Sequence, residues 1–141
     1  MIKVLTGGAF DLLHHAHVLL FEECLEYGDY LVVSVLSDAR IREKKGPARP
    51  IIPEDGRIAM VEAIRYVDEV VCLKGDPEYP VIKLLDIVRP DVLVLNSDEF
   101  ADFSKEREAC KKRGIELAFV PRIIAPSGLD TTAIVKKIRE S

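Results

Sequence analysis

The chain has no glutamine and a single asparagine, Asn96, against 20 Lys and Arg and 24 Asp and Glu. That bias is associated with heat-adapted proteins and speaks to temperature, not to activity. No stretch approaches the roughly 18 consecutive apolar residues of a membrane span, and the opening residues show neither a basic region nor a cleavage site. A cytoplasmic protein without a membrane partner is expected. Cysteine is scarce: Cys24, Cys72 and Cys110 are odd in number, far apart and free of C-x-x-C spacing, which argues for free buried thiols in a reducing compartment. Basic excess is missing too, since the net charge is −4 with signs mixed, so no nucleic-acid partner is expected. Nothing repetitive, low in complexity or linker-like divides the 141 residues, and we expect one domain over residues 1–141. A chain of that size buries roughly two-thirds of its unfolded surface.

What is present concentrates near the start. Residues 2–5 form a short apolar run, Gly7 and Gly8 follow, and residues 18–27 carry apolar side chains at helical spacing. Strand, glycine loop and helix start together make an anion site, because glycine lets the backbone approach a ligand and the helix start offers unpaired N–H groups. All three histidines, His14, His15 and His17, fall in this stretch, and histidine ionises near neutrality. The residues alone leave three readings of the cluster open: surface or capping groups, part of a metal site, or phosphate contacts.

The remainder alternates. Residues 30–35, 67–73, 91–95 and 115–120 read as strands rich in branched apolar residues. Residues 54–65, 77–88, 105–113 and 131–139 read as helices, the last capped by Asp130, with Gly28 and Gly114 placed as helix ends. Residues 36–53, polar and punctuated by Gly46, Pro47, Pro50 and Pro53, read as a long basic loop. Five strands alternating with five helices give an α/β doubly wound parallel sheet with helices on both faces, whose ligands bind beyond the C-terminal strand ends.

The loop matches neither the G-x-G-x-x-G dinucleotide pattern nor the G-x-x-x-x-G-K-[ST] phosphate loop. Its G-A-F-D-L-L-H-H-A-H, Gly8 to His17, resembles the G-x-F-D-x-x-H-x-G-H of the nucleotidyltransferase superfamily that includes glycerol-3-phosphate cytidylyltransferases and the adenylyltransferase domain of ADP-heptose synthesis. Ala16 replaces the last glycine of that pattern, and Ala9 stands where Thr or Val is frequent. Two later segments extend the likeness. Lys44-Lys45-Gly46, Arg49-Pro50 and Arg57 resemble a K-G, R-P, R run, and Gly128 to Thr132 resembles G-x-S-T-T with Asp130 in place of serine.

The resemblance implies transfer of a nucleoside monophosphate from a triphosphate, ATP before CTP, to a small phosphomonoester such as a sugar or polyol phosphate, with Mg²⁺ as cofactor and a homodimer as assembly. It implies His14, His17 and Lys44 as catalytic residues. Gly8, Ala9, Phe10, Ala16, Asn96, Asp98, Thr131 and Thr132 would bind the nucleotide, and Lys45, Arg49 and Arg57 the second substrate. Asp11 either fixes the loop or orients a histidine, or else is a turn residue bonding its own backbone. Synthesis of FAD from FMN and ATP is the enzymatic alternative, and a non-catalytic nucleotide sensor or scaffold the other.

A donor aimed at the phosphorus under attack gains strength only in the transition state. His17→Ala should therefore lower kcat about a hundredfold or more while triphosphate affinity stays within a few fold, and His15→Ala should do little. Steady-state kinetics with equilibrium nucleotide binding check this; equal damage from both substitutions would contradict the pairing of His14 with His17.

Overall fold

The computed structural model describes residues 1–97 and 102–141. In chain order the elements are β1 (Lys3–Gly8), α1 (His15–Cys24), β2 (Tyr30–Val35), α2 (Asp38–Lys45), α3 (Glu54–Glu62), β3 (Glu69–Val71), α4 (Val81–Val88), β4 (Val92–Asn96), α5 (Ser104–Arg113), β5 (Glu116–Val120) and α6 (Thr131–Glu140). The five strands pair in parallel in the order β3-β2-β1-β4-β5. Strand order reverses between β1 and β4, which opens a crevice at their C-terminal ends.

Period-two alternation divides the apolar residues between the faces. Val4, Leu31, Val33, Val35, Val92 and Val94 pack with Leu20, Phe21 and Cys24 of α1 and Val61 of α3. Leu5, Val32 and Leu93 face the other way, against Leu84, Leu85 and Val88 of α4 and Ala109 and Cys110 of α5. The doubly wound arrangement is thus as the sequence reads. At the N-terminal edge three carboxylates accept amides at or just before the strand starts: Asp29 from Ile2 at 2.6 Å, Asp91 from Lys3 and Asp68 from Leu31, both at 2.8 Å. Among the described residues no helix is long and apolar enough to cross a membrane.

Several boundaries differ from expectation. The expected loop over 36–53 contains a helix, α2, because Ser37 accepts the Arg40 amide at 3.0 Å and Asp38 and Lys44-Lys45 lie at the ends their charges favour. Ile41 is its one buried residue, so no apolar stripe announces it. Gly7 and Gly8 belong to β1, where a Cβ would come within 3.2 Å of the Ser34 carbonyl and 3.1 Å of the Phe10 ring. Helix α1 begins three residues earlier than its apolar spacing suggests. Gly28 does not cap it: the cap is Leu25, and Gly28 is required because a Cβ there would lie 2.6 Å from the Ile2 carbonyl and from a Val4 methyl. Cys24 and Cys110 are buried as expected, whereas Cys72 is only partly so.

Arg57 is fully buried at the start of α3. Its Nε donates to the Ile52 carbonyl at 2.8 Å, Nη1 to the carbonyls of Ala9 and Leu36 at 2.8 and 2.7 Å, and Nη2 to Asp38 at 2.7 Å. Removing a cation so enclosed strands a carboxylate and three carbonyls. Arg57→Ala should cost about 3–5 kcal/mol, read by chemical denaturation; a loss below about 1 kcal/mol would mean that the network contributes little.

Candidate active site

Residues 9–14 connect β1 to α1 in a turn with two left-handed non-glycine residues, Phe10 (φ 51°) and Leu12 (φ 54°). Such a backbone persists only where its surroundings over-determine it, and here they do. The Phe10 ring is buried against Phe21 at 5.1 Å, the Ala9 carbonyl is held by Arg57, and the Asp11 carboxylate accepts the amides of Ile51 and Ile52 at 2.8 and 2.9 Å. Thr131 at the start of α6 donates its hydroxyl to the Asp11 carbonyl at 2.7 Å. Of the readings of Asp11, fixing the loop is the one the geometry bears out.

At the end of this turn His14 is the N-cap of α1, and its backbone N–H donates to Nδ1 of His17 at 3.1 Å. With Nδ1 an acceptor, the neutral imidazole of His17 carries its proton on Nε2. The two rings stack at 3.7 Å, and Phe10 meets His17 edge-on at 5.2 Å. Burial first, and the neighbouring His14 second, bring the His17 pKa down to about 4. Burial also lowers that of His14, against an opposing pull from Asp130. His17 is therefore neutral at pH 7 with its one donor proton on Nε2, and among the described residues Nδ1 of His14 is buried without a partner.

Among the described residues the crevice shows three chambers that share walls. An inner one of about 230 Å³ is apolar, lined by Leu5, Leu36, Val81, Leu84, Leu93 and Leu95 with Thr6, Ser34 and Tyr79. The hydroxyls there are already engaged: Thr6 donates to the Val94 carbonyl at 3.0 Å, and Tyr79 bonds Ser34 at 2.7 Å and donates to the Val35 carbonyl at 2.6 Å. A central chamber of about 160 Å³ brings together Gly8, Ala9, Phe10, His17, Lys45, Asn96 and Thr131. The outer chamber, about 210 Å³, gathers His14, Ala16, His17, Lys45, Asn96, Arg122, Asp130, Thr131 and Thr132. Asn96 borders all three.

Most of the expected site residues thus converge, and three do not. Lys44 is exposed and lines none of the chambers; its neighbour Lys45, one position further round α2, lines two. Arg49 also lies outside them. Arg57 cannot meet a substrate, because it is sealed from solvent and bonded to three carbonyls and Asp38. Asp98 lies outside the described residues. Arg122, Ile123, Tyr79 and the aliphatic wall of the inner chamber are additions. Arg122 could have been anticipated from its place just past β5 on the C-terminal edge, while Tyr79 carries no such signal.

Among the described residues no group of three His, Cys, Asp or Glu side chains is placed to hold a metal ion. Asp11 is committed to the amides of Ile51 and Ile52, and Asp130 to the Ala133 amide at 2.7 Å and Arg122 at 2.6 Å. The described donors suit an ion carried on phosphate oxygens, the habit of Mg²⁺.

Two helix N-termini, a lysine, an arginine and two imidazoles gather around one crevice, a combination that favours anions. Comparison with known proteins bears on which kind. The model of the family described as cytidylyltransferase-like matches residues 5–137. A FAD synthase of Thermococcus kodakarensis is 36% identical over 142 residues, spanning 99% of this chain and 93% of that protein. The bifunctional protein HldE of Alcanivorax borkumensis is 39% identical over 137 residues, 97% of this chain but 28% of that protein. A crystal structure of the lipopolysaccharide core biosynthesis protein from Thermoplasma volcanium superposes with a TM-score of 0.71 at 32% identity, covering 87% of this chain and 97% of that one. On this fold, this crevice and these likenesses, the chain belongs to the cytidylyltransferase-like family and is a nucleotidyltransferase.

Proposed function

We propose that the protein transfers AMP from ATP to FMN, forming FAD and releasing pyrophosphate. The observation that carries this reading is the apolar inner chamber beside the phosphate centre. A sugar or polyol phosphate, the acceptor expected first from the sequence, needs hydrogen-bonding partners for its hydroxyls. The Thr6, Ser34 and Tyr79 hydroxyls are already bonded within the protein, and apart from Asn96 the rest of that wall is aliphatic or glycine. A flat, largely apolar ring system suits it better. The FAD synthases similar over nearly their full lengths support the same choice, and HldE, similar over about a quarter of its length, supports it less.

On this reading the FMN phosphate lies in the central chamber and attacks the α-phosphorus of ATP. An oxygen–phosphorus bond forms to the acceptor as the bond to the pyrophosphate oxygen breaks. The acceptor phosphate has a second pKa near 6 and is mostly dianionic at pH 7, so no general base is needed. Position and charge stabilisation dominate. Nε2 of His17, the first amides of α1 and Lys45 surround the reacting phosphate. The first amides of α6, with Thr131, Thr132 and Arg122, take the β- and γ-phosphates. Mg²⁺ on the triphosphate would offset its charge. A homodimer and a cytoplasmic setting remain part of the proposal.

A panel of ATP and CTP against FMN, glycerol 3-phosphate and a heptose phosphate, followed by pyrophosphate release, tests this. The expected result is turnover with FMN and ATP at least about a hundredfold above other pairs, which is the discrimination a mismatched buried polar group can supply. Preferred turnover of a sugar phosphate would overturn it. Replacing the half-buried Val81, at the first position of α4 where a carboxylate is tolerated, with Asp should raise the KM for FMN while leaving ATP binding within a few fold.

A further inference from the structure

One group in the outer chamber has the wrong sign. His14, Lys45, Arg122 and the start of α6 suit a chain of phosphates, yet Asp130 stands among them. As an N-cap its carboxylate does what a hydroxyl could: Oδ1 accepts the Ala133 amide at 2.7 Å, and serine caps a helix about as well. Capping accounts for the position and leaves the charge unexplained.

The second oxygen does something a serine cannot. Oδ2 receives Nη2 of Arg122 at 2.6 Å, with the side chains of Arg122 and Asp130 73% and 41% exposed. An ion pair so open to water contributes little to stability. Its effect falls on the chamber. Arg122 suits bidentate phosphate binding, and its Nη2 is already taken by Asp130.

We propose that Asp130 is a built-in competitor for the anion site: it holds Arg122 while the outer chamber is empty, and an entering phosphate chain must displace it. The inference rests on reading the outer chamber as the polyphosphate end, and is independent of the acceptor's identity. No covalent bond changes; one ion pair is exchanged for another, and the carboxylate takes Arg122 back as the ligand departs. The penalty falls on every ligand held there by its phosphates. It weighs most on pyrophosphate, which has no other handle, so the exchange favours product release over retention.

Calorimetric titration with inorganic pyrophosphate tests this on the wild type, Asp130→Asn, Arg122→Ala and the double variant. Asn keeps a cap oxygen and removes the charge, so the melting temperature should scarcely move while pyrophosphate binds about tenfold tighter, the scale of one screened charge interaction. Asp130→Ser, which also caps, should show the same gain. Arg122→Ala should weaken binding, and in that background the gain from Asp130→Asn should shrink to within about twofold. Unchanged or weaker binding in Asp130→Asn would overturn the proposal. So would a full tenfold gain in the Arg122→Ala background, which would indicate plain repulsion instead of competition. Failure of all four proteins to bind pyrophosphate would overturn the anion-site reading and this inference with it.

Discussion

A guanidinium sealed inside the protein ties together the segments from which the crevice is made. Arg57 bonds the carbonyl of Ala9 in the loop after β1, that of Leu36 after β2, that of Ile52 before its own helix, and Asp38 at the start of α2. Burying a cation is costly unless its donors are met, and here they are met by chain that would otherwise have loose ends. Asp11 does the complementary work, accepting Ile51 and Ile52 amides through its carboxylate and the Thr131 hydroxyl through its carbonyl. The left-handed backbone at Phe10 and Leu12 is stabilised by this cross-linking, so the helix start and its histidines are positioned by the protein's own bonds.

That order explains how the site handles charge. His17 is buried and neutral, with its pKa brought down to about 4, and the His14 amide fixes which nitrogen bears the proton. Neutral donors cost less to bury than imidazolium ions. Positive charge comes instead from Lys45 and from the N-terminal ends of α1 and α6, that of Arg122 being offset by Asp130. A donor held rigidly needs no reorganisation during the reaction, which is where such groups are most effective.

The layered fold was legible because parallel strands covered on both faces are nearly continuous in apolar residues, as residues 31–35 and 92–95 are. The histidine pair, the glycines of β1 and the Thr131-Thr132 helix start were legible as a pattern. Helix α2 was not, since its stability comes from caps and end charges with Ile41 its only buried residue. Arg57 was misread for a related reason: a charged residue in a basic run gives no sign of burial, and its partners at positions 9, 36, 38 and 52 meet only once the sheet has formed. Lys45 displaces Lys44 because one residue on a helix is about 100° of rotation, which the sequence does not fix relative to the sheet. The inner chamber needs β1, β2, β4 and α4 together and had no local signal.

Transfer to FMN requires a ring system in the inner chamber while its phosphate reaches His17. A crystal structure with FMN and a non-hydrolysable ATP analogue tests this most directly. The predicted result has the flavin ring among Leu36, Tyr79, Leu84 and Leu95, with the FMN phosphate within hydrogen-bonding reach of Nε2 of His17. A flavin ring in the outer chamber beside Arg122, or an inner chamber left empty with both substrates bound, would contradict it.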